Sequence, residues 1–331
     1  MKEILDLKDS LPKAVPWHET LAIFDATKVS CFSGCPRKFF IEFVMGWRKD
    51  EPNIHLVFGG AWHEAMEHLL NNGYSKESIK DAYRKFLKMY QDNYPDMLSN
   101  HGAKEPDNAL NALLDYCSTF GRVDNFETLF TEVSGAVPIS SDRIFHVKMD
   151  SVLRFPDGIW SMEHKTTGML SRAQQEKWSD TIQIGGYTHA LYSVFPADEV
   201  RGIKINLAVL RKPKKDGKSN NEFLRIPVRK SGDSMQVWLF EVNHWLDQIV
   251  WNFQKMCETS PDDPVMQAFP KNGESCGKFG CSHPGLCQRA NPLKYGSEPP
   301  IGYKSNRWDP RRIETDHEIT DGKIITKDKE E

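Results

Sequence analysis

The clearest pattern along the chain is an alternation of apolar and polar positions that leads up to Asp150. Phe145, Val147 and Met149 occupy every second position, and Asp150 comes directly after them. A period of two is typical of a β-strand that buries one of its faces. The pattern therefore predicts a strand that ends near an acid.

A turn signal and a second strand follow. Residues 155–158, Phe-Pro-Asp-Gly, join a proline that presets φ to a glycine that accepts a positive φ. Residues 159–165 then have the pattern of a returning strand, and Glu163 and Lys165, two positions apart, point to the same side. Asp150 can reach that side from the partner strand. The alternative is a surface hairpin with a cross-strand ion pair worth less than about 1 kcal/mol.

Helical periodicity and N-cap signals define most of the other elements. We predict helices after Asp25, over 61–70 with His63 in the first turn, over 171–194 and over 237–256, and strands over 203–210 and 223–228. Pro36 kinks or restarts the first helix. Gln183 and Tyr187 are four apart and share one helix face. The order of elements predicts an α/β fold, a central mixed sheet flanked by helices.

Composition narrows the class of protein. The chain of 331 residues has a net charge of −3, which argues against a protein that coats DNA through overall positive charge. It contains no run of about 18 apolar residues and does not start with an apolar signal region, so we expect no membrane span and an intracellular location. In that compartment, the seven cysteines indicate thiols or metal ligands rather than disulfides.

One segment is strongly basic. Residues 201–230 contain ten lysines and arginines against two acids, a local balance of +8. A patch of this size could bind several phosphates of a nucleic acid, or it could be a solvated, lysine-rich hairpin loop. The sequence leaves both interpretations open.

Three cysteines form a compact group near the C-terminus. Cys276, Cys281 and Cys287 are separated by four and then five residues in a glycine- and proline-rich stretch. A closed tetrathiolate site needs a fourth ligand, for which Cys35 is the best candidate, and His283 could also serve in a zinc site. The spacing alone does not decide between zinc and an iron–sulfur cluster.

Taken together, six short motifs resemble the PD-(D/E)XK nuclease superfamily, and within it the RecB-like branch, which includes the CRISPR-associated RecB-type exonucleases and the nuclease domain of AddB. In chain order they are Cys35-Pro-Arg-Lys-Phe, Gly60-x-x-His63, Asp150, Glu163-x-Lys165, Gln183-x-x-x-Tyr187 and the cysteine triplet. Two departures are visible. The first gap of the triplet is longer than the usual two residues, and Met149 replaces the proline before the first acid.

The resemblance implies a role for each matching residue. His63, Asp150, Glu163 and the carbonyl of His164 would bind a catalytic Mg²⁺ or Mn²⁺. Lys165 would orient or activate the attacking water and offset charge on the phosphate, and Gln183 and Tyr187 would position Lys165 or the DNA backbone. The ligands of a [4Fe-4S] cluster, or of zinc as the alternative, would be Cys35, Cys276, Cys281 and Cys287.

The resemblance also implies a function and a domain organisation. The expected activity is that of a metal-dependent DNA exonuclease acting on single strands or DNA ends, in a cytoplasmic protein of bacterial or phage type that works in recombination, repair or end processing. Helicase or recombination proteins would be possible partners. The nuclease domain would span 25–292, with a helical insertion at about 75–130 and a cluster-binding segment at 270–292. An irregular segment, 1–24, would precede it, and a charged tail, 293–331, expected to fray beyond Arg312, would follow it. A non-catalytic subunit that binds DNA ends and a zinc-stabilised nucleic-acid-binding protein are the alternatives.

Overall fold

The chain folds into two compact units, each assembled from three stretches of sequence. The computed structural model describes residues 2–95, 101–214, 216, 218–276, 281–312 and 315–327. The first unit is Met1–Glu51, Gly135–Val147 and Gly232–Glu314, and the second is Pro52–Ser134, Lys148–Ser231 and Thr315–Glu331. The chain therefore leaves each unit and returns to it.

Helices and strands follow one another along the described chain. The α-helices are α1 Lys2–Leu5, α2 Ala26–Gly34, α3 Pro36–Phe39, α4 Ile54–Asn72, α5 Lys76–Asn93, α6 Pro106–Phe120, α7 Arg172–Glu176, α8 Ile182–Val194, α9 Gly232–Cys257 and α10 Pro284–Cys287. The strands are β1 Trp47–Lys49, β2 Glu127–Pro138, β3 Ile144–Phe155, β4 Gly158–Thr167, β5 Val200–Val209, β6 Glu222–Val228, β7 Tyr303–Ser305, β8 His317–Thr320 and β9 Lys323–Thr326.

The main sheet has seven strands in the order β6-β5-β4-β3-β2-β8-β9. Strands β4 and β5 pair in parallel, whereas β3 with β4, β5 with β6 and β8 with β9 pair antiparallel. The prediction of an α/β fold with a central mixed sheet is confirmed. A small second sheet, β1 with β7, belongs to the first unit.

The predicted hairpin is formed by β3 and β4. Its turn needs Gly158, which has a φ of 135° and where an added Cβ would lie 2.4 Å from the carbonyl oxygen of Glu199. Strand β3 continues to Phe155, so Asp150 lies inside the strand and not at its end as predicted. The antiparallel register, with Ser151 opposite Met162, places Asp150 near the middle of β4.

A core of aromatic side chains fixes α4 in the second unit. Trp62 of α4 is buried with Phe86 of α5, Tyr116 of α6 and Leu210, which follows β5. Because α4 begins at Ile54, His63 lies in the interior of this helix, and the prediction that it occupies the first turn is wrong. The predicted helix over 171–194 is also divided, into α7, a 3₁₀ segment and α8.

The C-terminal charged segment is more ordered than its composition suggests. We expected it to fray beyond Arg312, but β8 and β9 form an antiparallel hairpin in the main sheet. Buried Ile319 of β8 contributes an apolar side chain there. The predicted domain boundary at residue 292 stays a prediction. None of the described helices is both long and apolar enough to span a membrane.

Asp25 is the N-cap of α2, as predicted. One carboxylate oxygen accepts a hydrogen bond of 3.0 Å from the Lys28 main-chain N–H, and the other accepts one of 2.8 Å from the Trp308 indole. Helix α2 ends at Gly34, and Pro36 starts α3, which confirms that the proline restarts the helix.

We expect Asp25→Ala to lower the free energy of unfolding by about 2 kcal/mol, because it removes a cap and a second, partly buried hydrogen bond. Urea unfolding followed by circular dichroism measures the loss. The control is Asp9→Ala at an exposed position, which should change stability by less than about 0.5 kcal/mol. Equal losses for the two variants would contradict this role of Asp25.

Candidate active site

Glu163 and Lys165 lie on the same side of β4, as their spacing predicted. The Lys165 ammonium forms an ion pair with Oε1 of Glu163. Glu163 is 1% exposed, whereas the Lys165 side chain is 27% exposed. The pair therefore places a buried carboxylate beneath a cation that solvent can reach.

Asp150 holds the adjacent main chain of β4. Its Oδ2 accepts a hydrogen bond of 2.7 Å from the His164 main-chain N–H, and its Oδ1 lies 3.3 Å from Nδ1 of His63. Burial would raise the pKa of Asp150, but the neighbouring His63 lowers it below the usual range. Asp150 is therefore ionised at neutral pH.

The His63 ring is placed between two acceptors. Its Nδ1 faces Asp150, and its Nε2 lies 2.9 Å from the main-chain carbonyl oxygen of His164. Both ring nitrogens can donate only in the imidazolium form. Burial would lower the pKa of His63, but the Asp150 carboxylate, with a contribution from Glu163, raises it to about 9. His63 is therefore a cation at neutral pH.

Glu163 and Lys165 shift each other's ionisation. Burial first, and then Asp150, raise the pKa of Glu163, against the opposing effect of Lys165. Burial would lower the pKa of Lys165, but Glu163 and Asp150 outweigh it and raise that pKa. Lys165 is therefore a cation at neutral pH and not a free base.

Gln183 and Tyr187 reach the same cluster from α8. The Gln183 amide nitrogen donates to Oε1 of Glu163 at 2.9 Å and to the Tyr187 hydroxyl at 2.8 Å. Helix α8 starts after Thr181, whose hydroxyl accepts from the Ile184 main-chain N–H. Gln183 therefore contacts Glu163. The expected partners of Gln183 were Lys165 or the DNA backbone.

Two further side chains at the site were missed by sequence reasoning. The Trp178 ring centroid lies 6.0 Å from the Lys165 ammonium. Glu132 forms an ion pair of 2.5 Å with Lys148, and burial raises its pKa to about 7. Neither residue stands in a recognisable motif, so only the fold brings them here.

The donor atoms suit a hard divalent cation, although they are not arranged as a finished metal site. In the described part of the chain, no three His, Cys, Asp or Glu side chains form a metal-binding group. The set nevertheless offers carboxylate and carbonyl oxygens, which Mg²⁺ and Mn²⁺ prefer. Oε2 of Glu163 is buried and has no hydrogen-bond partner among the described residues. A buried carboxylate oxygen without a partner fits a cation ligand.

Cys35, Cys276 and Cys281 all lie in the first unit, near enough to Cys287 to affect the ionisation of its thiol. The main-chain carbonyl of Gly34 accepts hydrogen bonds from Asn272 at 2.9 Å and Ser275 at 3.0 Å, which joins the N-terminal turn to the C-terminal loop. Burial raises the pKa of the Cys287 thiol to about 11, with smaller contributions from the other three cysteines. Residues 277–280 of the motif lie outside the described residues.

His283 is engaged elsewhere, which corrects its candidacy as a zinc ligand. Its Nε2 lies 2.8 Å from a carboxylate oxygen of Glu42, and its Nδ1 lies 3.3 Å from the Tyr303 hydroxyl. The ring is 1% exposed. With both nitrogens occupied, His283 supports the loop rather than offering a lone pair to a metal.

Part of the basic segment is paired with acids of the second unit. Four of its ten cations form ion pairs, namely Arg211 with Glu222, Lys218 with Asp216, Arg225 with Asp124 and Arg229 with Asp157. Lys204 lies 4.0 Å from the centroid of the buried Trp160 ring. Lys215 lies outside the described residues. Because Asp216 and Glu222 are already counted in the balance of +8, only Asp124 and Asp157, which lie outside the segment, lower it, from +8 to +6.

Comparison with known proteins shows that a family model matches most of the chain. Residues 24–288 match the PD-(D/E)XK nuclease superfamily, a range that includes the hairpin, α4, α8 and the four cysteines. A candidate exonuclease from Eubacterium rectale has a crystal structure that aligns with a TM-score of 0.42 at 11% identity, over 72% of this chain and 82% of that one. The search of curated proteins returned no significant match.

The raised pKa of His63 predicts a pH-dependent stability of the metal-free protein. Because the folded value of about 9 exceeds the unfolded value of about 6.5, the protonated ring contributes fully below pH of about 6.5. That contribution, about 2 kcal/mol after allowing for partial exposure, is lost as the pH rises to about 9. Urea unfolding in EDTA across this range measures it.

His63→Gln should lack this loss, whereas His68→Gln on the same helix should retain it. If the parent and His63→Gln proteins lost stability in parallel over this pH range, the buried imidazolium would be ruled out.

Proposed function

The chain belongs to the PD-(D/E)XK nuclease superfamily, and from that premise we propose that it is a metal-dependent DNA exonuclease. We propose that it acts on single strands or DNA ends, in recombination, repair or end processing. One observation carries the proposal. Asp150, Glu163 and Lys165 converge with Gln183 and His63 in one cluster of the second unit.

Phosphodiester hydrolysis needs such a cluster for a physical reason. The substrate is anionic and repels hydroxide, so its charge must be offset and a water molecule must be deprotonated near neutral pH. We propose that Asp150, Glu163, His63 and the His164 carbonyl hold Mg²⁺ or Mn²⁺. When bound, such an ion supplies a polarised phosphoryl oxygen and a water of lowered pKa.

The residues around that position have distinct proposed roles. Lys165 stays protonated, because Glu163 and Asp150 raise its pKa, so it offers fixed positive charge where negative charge develops on the phosphate. Gln183 holds Oε1 of Glu163 and is itself held by Tyr187. This leaves Oε2 of Glu163 available as a ligand. His63 would release a proton before its nitrogen could bind a cation.

The four clustered cysteines suggest a cofactor separate from this site. We propose that Cys35, Cys276, Cys281 and Cys287 bind a [4Fe-4S] cluster, with zinc as the alternative. The proposal is supported by the nearness of Cys35, Cys276 and Cys281 to the Cys287 thiol. The side chains that the structure describes are not arranged as a finished metal-binding group. Such a group would link the turn before α3 to the loop before α10. The RecB-like assignment and the protein partners stay predictions of the resemblance.

We expect Lys165→Ala and Glu163→Gln to reduce cleavage of end-labelled linear DNA by at least about 10²-fold, because the first removes positive charge beside the reacting phosphate and the second removes an anionic ligand of the proposed cation. Activity of the parent should require Mg²⁺ or Mn²⁺ and stop in EDTA. Circular single strands should resist cleavage if the enzyme is an exonuclease. The matched control is Lys80→Ala on α5, which is exposed and should keep full activity.

Cleavage that persists in EDTA would refute the metal mechanism, and full activity in Lys165→Ala would refute the role of the lysine. If the parent protein bound DNA ends without cutting any of these substrates, the non-catalytic alternative would replace the enzyme.

For the cysteines, we expect protein purified without oxygen to be brown, with about four iron atoms per chain. Cys281→Ala should lose the visible absorbance, because it removes one of the ligands. Cys257→Ala, at a thiol outside the group, should keep it. Colourless parent protein with one zinc per chain would replace the cluster with the zinc alternative. An unchanged spectrum in Cys281→Ala would refute ligation by that residue.

A further inference from the structure

A chain of buried polar side chains lies on the opposite face of β4 from Glu163. Arg225 of β6 forms an ion pair with Asp124 and donates to the Tyr116 hydroxyl at 2.8 Å. The Arg225 Nε also donates to Oδ1 of Asn206, at 3.4 Å. Asn206 is 2% exposed and lies on β5. These contacts therefore lead from Arg225 to the buried side-chain amide of Asn206.

The direction of each hydrogen bond in this network of side chains follows from Arg225, whose guanidinium can only donate. Oδ1 of Asn206 must therefore accept, so its Nδ2 is the atom that faces His164 and Tyr116, at 2.8 Å from His164 Nδ1 and 3.0 Å from the Tyr116 hydroxyl. An amide NH₂ can only donate, so Nδ1 of His164 must accept. His164 is thereby fixed as the neutral tautomer with its hydrogen on Nε2.

His164 links this network to the catalytic cluster through its main chain. His164 and Asn206 face each other in the parallel register of β4 and β5. The His164 N–H donates to Asp150 at 2.7 Å, and the His164 carbonyl oxygen lies 2.9 Å from His63 Nε2. A shift of the His164 ring would therefore move two main-chain groups that hold site residues.

We propose that Asn206 is a positioning residue: it holds the His164 ring from behind the sheet and so fixes the peptide groups that contact Asp150 and His63. This inference rests on the proposed function, in which the His164 carbonyl is one of the cation ligands. Partners that orient a ligand from outside the site commonly change metal affinity by 10- to 100-fold when replaced.

The rival explanation is a polar network that serves stability alone. It predicts that any buried deletion in the network acts in the same way on the site. Positioning predicts instead that only the bond to His164 matters. Asn206→Asp tests this, because the side chain keeps its shape while the group facing His164 becomes an acceptor.

The matched control is Tyr116→Phe. It removes the hydroxyl that accepts from Asn206 and Arg225, but it leaves the bond from Asn206 to His164 in place. Asn206→Leu is a second variant, which removes the bond without adding charge. Circular dichroism and thermal unfolding establish that each full-length variant is folded and show how far its unfolding midpoint falls.

The first readout is the ¹⁵N NMR spectrum of the histidine rings in metal-free protein. We expect the parent and Tyr116→Phe to carry the His164 hydrogen on Nε2, whereas Asn206→Asp carries it on Nδ1. The His63 ring signals should move in Asn206→Asp and Asn206→Leu and stay unchanged in Tyr116→Phe. Unchanged tautomer and His63 signals in both Asn206 variants would overturn the proposal.

The second readout is the Kd for Mn²⁺, measured by calorimetry in the absence of DNA. We expect Asn206→Asp and Asn206→Leu to weaken binding by about 10- to 100-fold and Tyr116→Phe to stay within about twofold. Equal weakening in all three variants, or none in the Asn206 variants, would overturn positioning. A parent protein that binds no Mn²⁺ would refute the proposed function instead, and the His63 signals would then decide the role of Asn206.

Discussion

The arrangement depends on the balance of charge around two buried carboxylates. Asp150 and Glu163 come from adjacent strands, are each at least nine-tenths buried, and cannot both be ionised nearby without compensation. The positive charges of His63 and Lys165 provide that compensation from α4 and β4. The two acids differ in how well their charge is compensated. The pKa of Asp150, which lies beside the His63 imidazolium, is lowered, whereas the pKa of Glu163 is raised. Two protein cations therefore lie in direct contact with the carboxylates.

The topology explains why this balance can be held in place. Strand β4 lies inside the sheet, with β3 on one side and β5 on the other. Because successive side chains of β4 point to opposite faces of the sheet, the two faces carry side chains with different roles. Glu163 and Lys165 face the cluster of Asp150 and His63, whereas His164 faces a hydrogen-bonded network in which Arg225 is paired with Asp124. Burial, together with its nearby cations, lowers the pKa of His164 to about 3, so no further positive charge arises behind the sheet. A central strand is thus able to carry a charged site on one face and a rigid support on the other.

The sequence predicted the parts of this site that depend on local spacing. Period-two alternation and a Pro-Asp-Gly turn were sufficient for the hairpin, and a separation of four was sufficient to pair Gln183 with Tyr187. The predicted position of His63 within its helix was wrong, because the prediction began the helix at Ala61 and overlooked Asn53, whose side chain caps α4 by accepting from the His55 main-chain N–H. Local spacing could not identify Asn206 or Trp178. Asn206 reaches His164 only because β5 pairs with β4, and Trp178 reaches Lys165 only through the fold. The sequence left the role of the basic segment open for a related reason. Its partners Asp124 and Asp157 lie far from it in sequence, so counting charge along the chain could not reveal their neutralising effect.

On the proposed function, the imidazolium also explains why the donors are suitable for a cation and yet not assembled as a metal site. The Nδ1–H of His63 takes one oxygen of Asp150, and its Nε2–H takes the His164 carbonyl, so a single ring occupies two of the oxygens that a cation would need. If Asp150, Glu163 and His63 held a divalent ion, the His63 proton would have to leave, and the net charge of the cluster would rise by one unit. Because deprotonation of His63 grows easier towards pH of about 9, the apparent affinity for the ion must increase with pH over that range. The same ring thus offsets the charge of the carboxylates and would set the pH range over which a cation could replace its proton.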